Sequence, residues 1–237
     1  AKDAEAMRKY LIEALGYLDG NIITLPDPTS GDLNRVFGTA SRPDGQLYNL
    51  VSAKPGRCDV FVYYAGHGAP SVREKRGYLV PIDASPDYIE QNGYPLDLFY
   101  SNLSKVLAKD LIVVLDACFT GEAPDTSGRV RTLVRDASPV PVASVTEDVP
   151  ANSLVMTAAK SNQLACWYRD KRHSLFTYWL LRGLKGEADL DRDGRIVVGE
   201  LDEYVRQNVP PLARLLYNRD QTPEIRGAAG KELLRIR

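Results

Sequence analysis

Two short apolar runs constrain this chain more than anything else in it. Cys58–Ala65 and Leu111–Leu115 are rich in β-branched and aromatic residues and lack polar alternation. A strand apolar on both sides must be covered on both sides, which a parallel sheet between helical layers achieves. Both runs are far too short to cross a bilayer. Helical spacing surrounds them. Ala4, Met7, Leu11, Ala14, Leu15 and Leu18 predict a helix over 2–18. Others are predicted from near Ser30, over Leu96–Leu107, over Leu175–Lys185 and over Leu201–Val209. Further strands are predicted at 21–25, Gly77–Ile82, Ser153–Ala158 and Glu232–Ile236. Strands alternating with helices give an α/β class with a mostly parallel central sheet in a three-layer α/β/α arrangement.

The 237 residues are 44% hydrophobic and 26% charged, enough for a sizeable core and against disorder. One domain over 1–237 is expected, with a first part at 1–121, a linker at 122–150 and a second part at 151–237. The linker carries Pro124, Pro139, Pro141 and Pro150, and one short strand is expected around Val142–Val145. With 30 Lys+Arg against 31 Asp+Glu, no footprint for nucleic acid exists. No membrane partner is expected, and composition leaves the oligomeric state open. The three cysteines, Cys58, Cys118 and Cys166, form no disulfide framework, so a reducing, cytoplasmic setting is expected. No signal peptide is visible, but Ala1 opens directly into a helical pattern, so this is weak evidence about a leader.

The chemistry sits at two strand ends. His67 follows the first run within Gly66-His67-Gly68, and Cys118 follows the second within Asp116-Ala117-Cys118. In an open parallel sheet the carboxyl ends of strands share one edge, where sites form. A thiol needs a nearby base to become a nucleophile, and imidazole is its usual partner. Backbone N–H groups beside these residues could face an oxyanion. The bland alternative makes Cys118 a buried small hydrophobe and His67 a polar strand cap.

Phe61-Val62-Tyr63-Tyr64-Ala65-Gly66-His67-Gly68 resembles the histidine strand of caspase-like cysteine proteases, and Asp116-Ala117-Cys118-Phe119-Thr120-Gly121 their nucleophile strand. The 51-residue gap from His67 to Cys118 fits that family. Lys2–Met7, Tyr78–Asp83 and His173–Tyr178 resemble its first helix, the strand after the histidine loop and the opening of a late helix. The resemblance implies a caspase-like fold and a cysteine endopeptidase acting on peptide or protein substrates. Cys118 would be the nucleophile, His67 the general base and acid, and the N–H groups of Gly68 and Cys118 the oxyanion hole. No cofactor is required for such chemistry. The family's first sheet strand precedes the helix at 2–18, and this sequence opens on that helix. Two rivals stand beside this reading: a catalytically silent interaction module of the same fold, and another cysteine hydrolase such as an amidase or transpeptidase.

Animal caspases carry Gln two residues before the cysteine. Asp116 there is similar to metacaspases and their prokaryotic relatives. A carboxylate two residues before Cys118 on a strand points to the same side. An acidic pocket would bind Arg or Lys and repel Asp. The metacaspase resemblance adds Asp3, at the start of the first helix, to that pocket. The alternatives are a first-turn acid favoured by the helix dipole for Asp3 and a strand-end acceptor for Asp116. If the pocket is acidic, Arg129, Arg131 and Arg135 in the linker are self-cleavage sites.

Asp189 to Glu200 fits a twelve-residue EF-hand loop, with Asp189, Asp191 and Asp193 at positions 1, 3 and 5 and Gly194 at position 6. The Arg195 carbonyl and both Glu200 oxygens complete the set, which predicts a Ca2+ site. Val197 at position 9 offers no ligand, and a metal-free turn is the alternative.

Overall fold

The two apolar runs become neighbouring parallel strands. Residues 2–71, 73–124, 130–132 and 153–236 are described by a computed structural model. The central sheet contains the histidine strand Asp59–Ala65, the cysteine strand Asp110–Asp116, then Ser153–Thr157 and Glu224–Arg226, in that order. The first three run parallel and the last is antiparallel to its neighbour. The expected Val142–Val145 strand lies outside the described residues.

Alternation along the cysteine strand divides the core into two layers. Leu111, Val113 and Leu115 face one side, where Leu33, Val51, Phe99 and Leu103 pack against them. These come from the helices Ser30–Phe37, Gln46–Ser52 and Leu96–Ser104. Ile112 and Val114 face the other side, toward Met7, Leu11, Phe176, Leu180, Leu201 and Val205. Those belong to the helices Lys2–Glu13, Leu175–Arg182 and Val198–Tyr217. The result is the expected three-layer α/β/α arrangement, with the sheet buried on both faces.

Several expected elements differ. The first helix ends at Glu13 rather than 18, and Gly16 turns the chain with φ +73°, where a side chain would be strained. Residues 22–25 form no strand and pair with no described strand, so the predicted ladder there is missing. Gly77–Leu79 joins a small antiparallel sheet with Gly68–Pro70 and Tyr94–Pro95, apart from the central one. Glu232–Arg235 pairs with Arg195–Val197. The last long helix runs through Pro210 and Pro211 to Tyr217 instead of stopping at Val209. Val209 and Ala213 are both buried, so the apolar face continues past the prolines and its burial offsets the lost backbone bonds. Among the described residues no helix is long and apolar enough to cross a membrane.

Candidate active site

The site grows out of strand register. Every pair between the histidine and cysteine strands, from Asp59 with Asp110 to Ala65 with Asp116, is offset by 51 residues. His67 and Cys118 are separated by the same 51. The N–H of Gly66 donates to the carbonyl of Asp116 at 3.2 Å, extending the ladder by one residue. His67 and Cys118 thus each follow the end of one of two adjacent paired strands, two residues beyond the last pair. Gly68 fits this crossing because it has no side chain: a Cβ there would stand 2.5 Å from the Cys118 carbonyl oxygen and from the Phe119 ring. The carbonyl of His67 accepts from Val80 N–H at 3.0 Å and from the Tyr64 hydroxyl at 2.7 Å, which fixes the turn carrying the imidazole.

Cys118 is 9% exposed, and burial pushes its thiol up to about 12. The N–H of Ala165 donates to Sγ at 2.7 Å, which works in the opposite direction. Burial also lowers the His67 imidazole. Both shifts favour the neutral forms, a thiol and a neutral imidazole. Among the described residues no hydrogen bond joins the two side chains.

The same alternation that separates the two core layers places Asp116. Asp116, like Ile112 and Val114, faces the layer of the first helix and of Leu175–Arg182. It is 6% exposed. Its Oδ2 accepts from Thr177 Oγ1 at 2.5 Å, and Thr177 Oγ1 lies 2.6 Å from the Tyr63 hydroxyl. Asp3, 5% exposed, reaches this layer from the first turn of the first helix. Its carboxylate lies 2.6 Å from His173 Nδ1 and accepts from Ser174 N–H at 3.1 and 3.3 Å. Burial raises Asp116 to about 6; the hydroxyls of Ser174 and Thr177 pull it back, and the charge of Asp3 raises it again. Tyr63 is likewise raised, by burial first and then by Asp116 and Asp3. Two carboxylates thus share one buried neighbourhood behind the cysteine. Thr177, Tyr63, His173 and Ala165 were not legible as site residues. Thr177 and His173 reach the site through a helix start and a two-residue strand, and Ala165 contributes only its backbone.

The acidic loop stands apart. Carboxylate oxygens of Asp189, Asp191 and Asp193 lie within 4.8 Å of one another. Glu200 folds back onto the loop, its Oε1 accepting from Leu190 and Asp191 N–H and its Oε2 from Val197 N–H at 3.0 Å. Ile196, fully buried, pairs with Leu234 of the C-terminal strand, where a paired EF-hand would offer a second loop. The Arg195 guanidinium holds Asp193 Oδ2 at 2.6 Å and lowers that carboxylate. An all-oxygen donor set of this kind fits a hard divalent cation. Arg131 lies on the strand Val130–Thr132, paired with Glu122–Pro124; Arg129 and Arg135 fall outside the described residues.

A family model described as the caspase domain matches residues 1–233. No curated protein matches the sequence. Among solved structures, the chain is similar to a caspase-1 crystal structure from Spodoptera frugiperda, with a TM-score of 0.57 and 16% identity, covering 98% of this chain and 79% of that one. At that identity the structural likeness speaks for the fold alone.

Proposed function

The chain belongs to the caspase-domain family, whose members are cysteine endopeptidases acting on proteins, and from that premise we propose that it cuts peptide bonds after arginine or lysine with a Cys118–His67 dyad. The observation that supports the dyad is the 51-residue register of the two strands that lead into His67 and Cys118, with the Gly68 backbone against the Cys118 carbonyl. The observation that carries the specificity is the buried pair Asp3 and Asp116 behind it. Desolvated carboxylates favour a guanidinium or ammonium partner and oppose an acidic one.

In this reading the neutral imidazole of His67 takes the Sγ proton as sulfur bonds to the peptide carbonyl carbon. The oxyanion accepts from the N–H groups of Gly68 and Cys118. Protonated His67 gives that proton to the leaving amine, and the peptide C–N bond breaks. Water, deprotonated by His67, then attacks the thioester, releasing the acid and returning the proton to sulfur. The test is a fluorogenic peptide panel with Arg, Lys, norleucine or Asp before the cut. Turnover of Arg and Lys peptides, none of the Asp peptide, and loss of turnover in Cys118→Ala are expected. Equal turnover of Asp and Arg peptides would sink the pocket assignment, and turnover in Cys118→Ala the dyad.

We also propose that Asp189, Asp191, Asp193, the Arg195 carbonyl and Glu200 hold Ca2+. The close approach of the three aspartates supports this reading. Bound calcium would replace the Arg195 guanidinium as the counter-charge of Asp193 and tie Glu200 to the loop. It would supply no chemistry to the dyad.

A further inference from the structure

The molecule has two histidines, and the dyad uses one. The other, His173, lies in the two-residue strand His173–Ser174, paired with Trp167–Tyr168. Its Nδ1 stands 2.6 Å from Asp3 Oδ1. We propose that His173 is the positioning residue of the basic pocket: it holds the Asp3 carboxylate in place and thereby sets how strongly an arginine or lysine is preferred. This rests on the reading above that Asp3 and Asp116 form that pocket.

Asp3 stands in the first turn of the first helix, where an acid at a helix start is ordinarily solvated and free to choose among rotamers. Here it is buried, and its partners come from a different part of the chain. Ser174 contributes a main-chain N–H, which any residue would supply. Among the described residues, the only side chain that hydrogen-bonds Asp3 is the His173 imidazole. A carboxylate accepts, so Nδ1 carries the hydrogen in this bond, whether the ring is neutral or charged. The bond is short and charge-assisted, the kind that fixes geometry as well as adding energy. His173 is 27% exposed while Asp3 is 7% exposed at the side chain, so the imidazole sits at the rim and the carboxylate inside. The imidazole contacts Asp3 and not the sulfur, whose backbone partner is Ala165. Its effect on the reaction therefore passes through Asp3.

The atom that makes the bond supplies the test. An asparagine amide N–H occupies the position of a histidine Nδ1, whereas a glutamine amide reaches that of Nε2. Kinetics on the full chain would compare arginine and norleucine peptides. His173→Gln is expected to raise KM for the arginine peptide about tenfold, the scale of one lost charge-assisted bond, with kcat changed less than about twofold. His173→Asn is expected to restore KM to within about threefold of wild type. Asp3→Asn combined with His173→Gln should be no worse than Asp3→Asn alone, because both act through one carboxylate. His173→Ala is the blunter variant, and its melting curve must be measured first because it also removes packing. A fall in kcat shared by both peptides, a failed rescue by asparagine, or additive losses in the double variant would overturn the proposal. If wild type prefers arginine and Asp3→Asn loses that preference while His173→Gln keeps it, this inference alone fails. If wild type shows no preference for arginine, the pocket reading falls and this inference with it.

Discussion

Replacing Asp116 by asparagine should weaken the enzyme on its substrate and strengthen its fold. The carboxyl group is buried, and burial raises it from 3.8 to about 6. Between those values the folded chain holds a proton that the unfolded chain releases. Stability therefore falls as pH rises through this window, and the full cost is in place above about pH 6. A shift of roughly two units corresponds to about 3 kcal/mol at neutral and alkaline pH, shrinking to roughly half of that near pH 5. Asparagine keeps an oxygen to accept from Thr177 and removes the buried charge. Asp116→Asn should then raise the melting temperature by roughly 6–12 °C at pH 8 and clearly less at pH 5, given about 2–4 °C per kcal/mol for a chain of this size. The measurement is a pair of calorimetric melts, in a Cys118→Ala background so that self-processing cannot intrude. In the Cys118-intact enzyme the same substitution should lower kcat/KM for arginine peptides at least tenfold, with little change for norleucine. A variant that melts lower than its parent at pH 8, or gains equally at pH 5 and pH 8, would show that Asp116 is not a strained buried charge.

Cys118→Ala should abolish turnover by several orders of magnitude with an unchanged fold, and His67→Ala should be similarly severe; steady-state rates and circular dichroism check both. Saturating Ca2+ should raise the wild-type melting temperature, and Asp189→Ala or Glu200→Gln should remove the shift; an unmoved wild-type curve reduces the loop to a plain turn. Active protein should cut itself after Arg129, Arg131 or Arg135, with the pieces held together because strands from both parts share the central sheet. Intact mass spectrometry beside Cys118→Ala decides this: a single full-length mass for both after long incubation ends the idea.

Much of the architecture was legible because it follows from local patterns. The runs at Cys58–Ala65 and Leu111–Leu115 had to be buried strands, and the strand-end positions of His67 and Cys118 followed from where those runs stop. The cluster of Asp189, Asp191 and Asp193 was legible too, since the three lie within five consecutive residues. Missing from the sequence was the pairing of distant segments. Residues 22–25 and Glu232–Arg235 have the composition of sheet strands, yet one has no ladder partner among the described residues and the other pairs beside the acidic loop. Pro210 and Pro211 announce a helix end that the buried face through Ala213 overrides. Strand propensity says that a segment can pair, but only competition among all edges decides with what.

The pocket shows the division most sharply. A two-residue strand period predicts Asp116 and Cys118 on one side, whereas the strand itself ends at Asp116. His173 stands 170 residues from Asp3, and no periodicity spans that distance. Their meeting depends on how the first helix and the helix Leu175–Arg182 pack together over the sheet. The resting charge state was likewise decided by tertiary structure. A cysteine and a histidine at neighbouring strand ends suggest a thiolate and an imidazolium, but burial of both favours the neutral forms. Residue types determine which groups can exchange a proton, whereas desolvation, a property of the packed whole, determines where that proton rests.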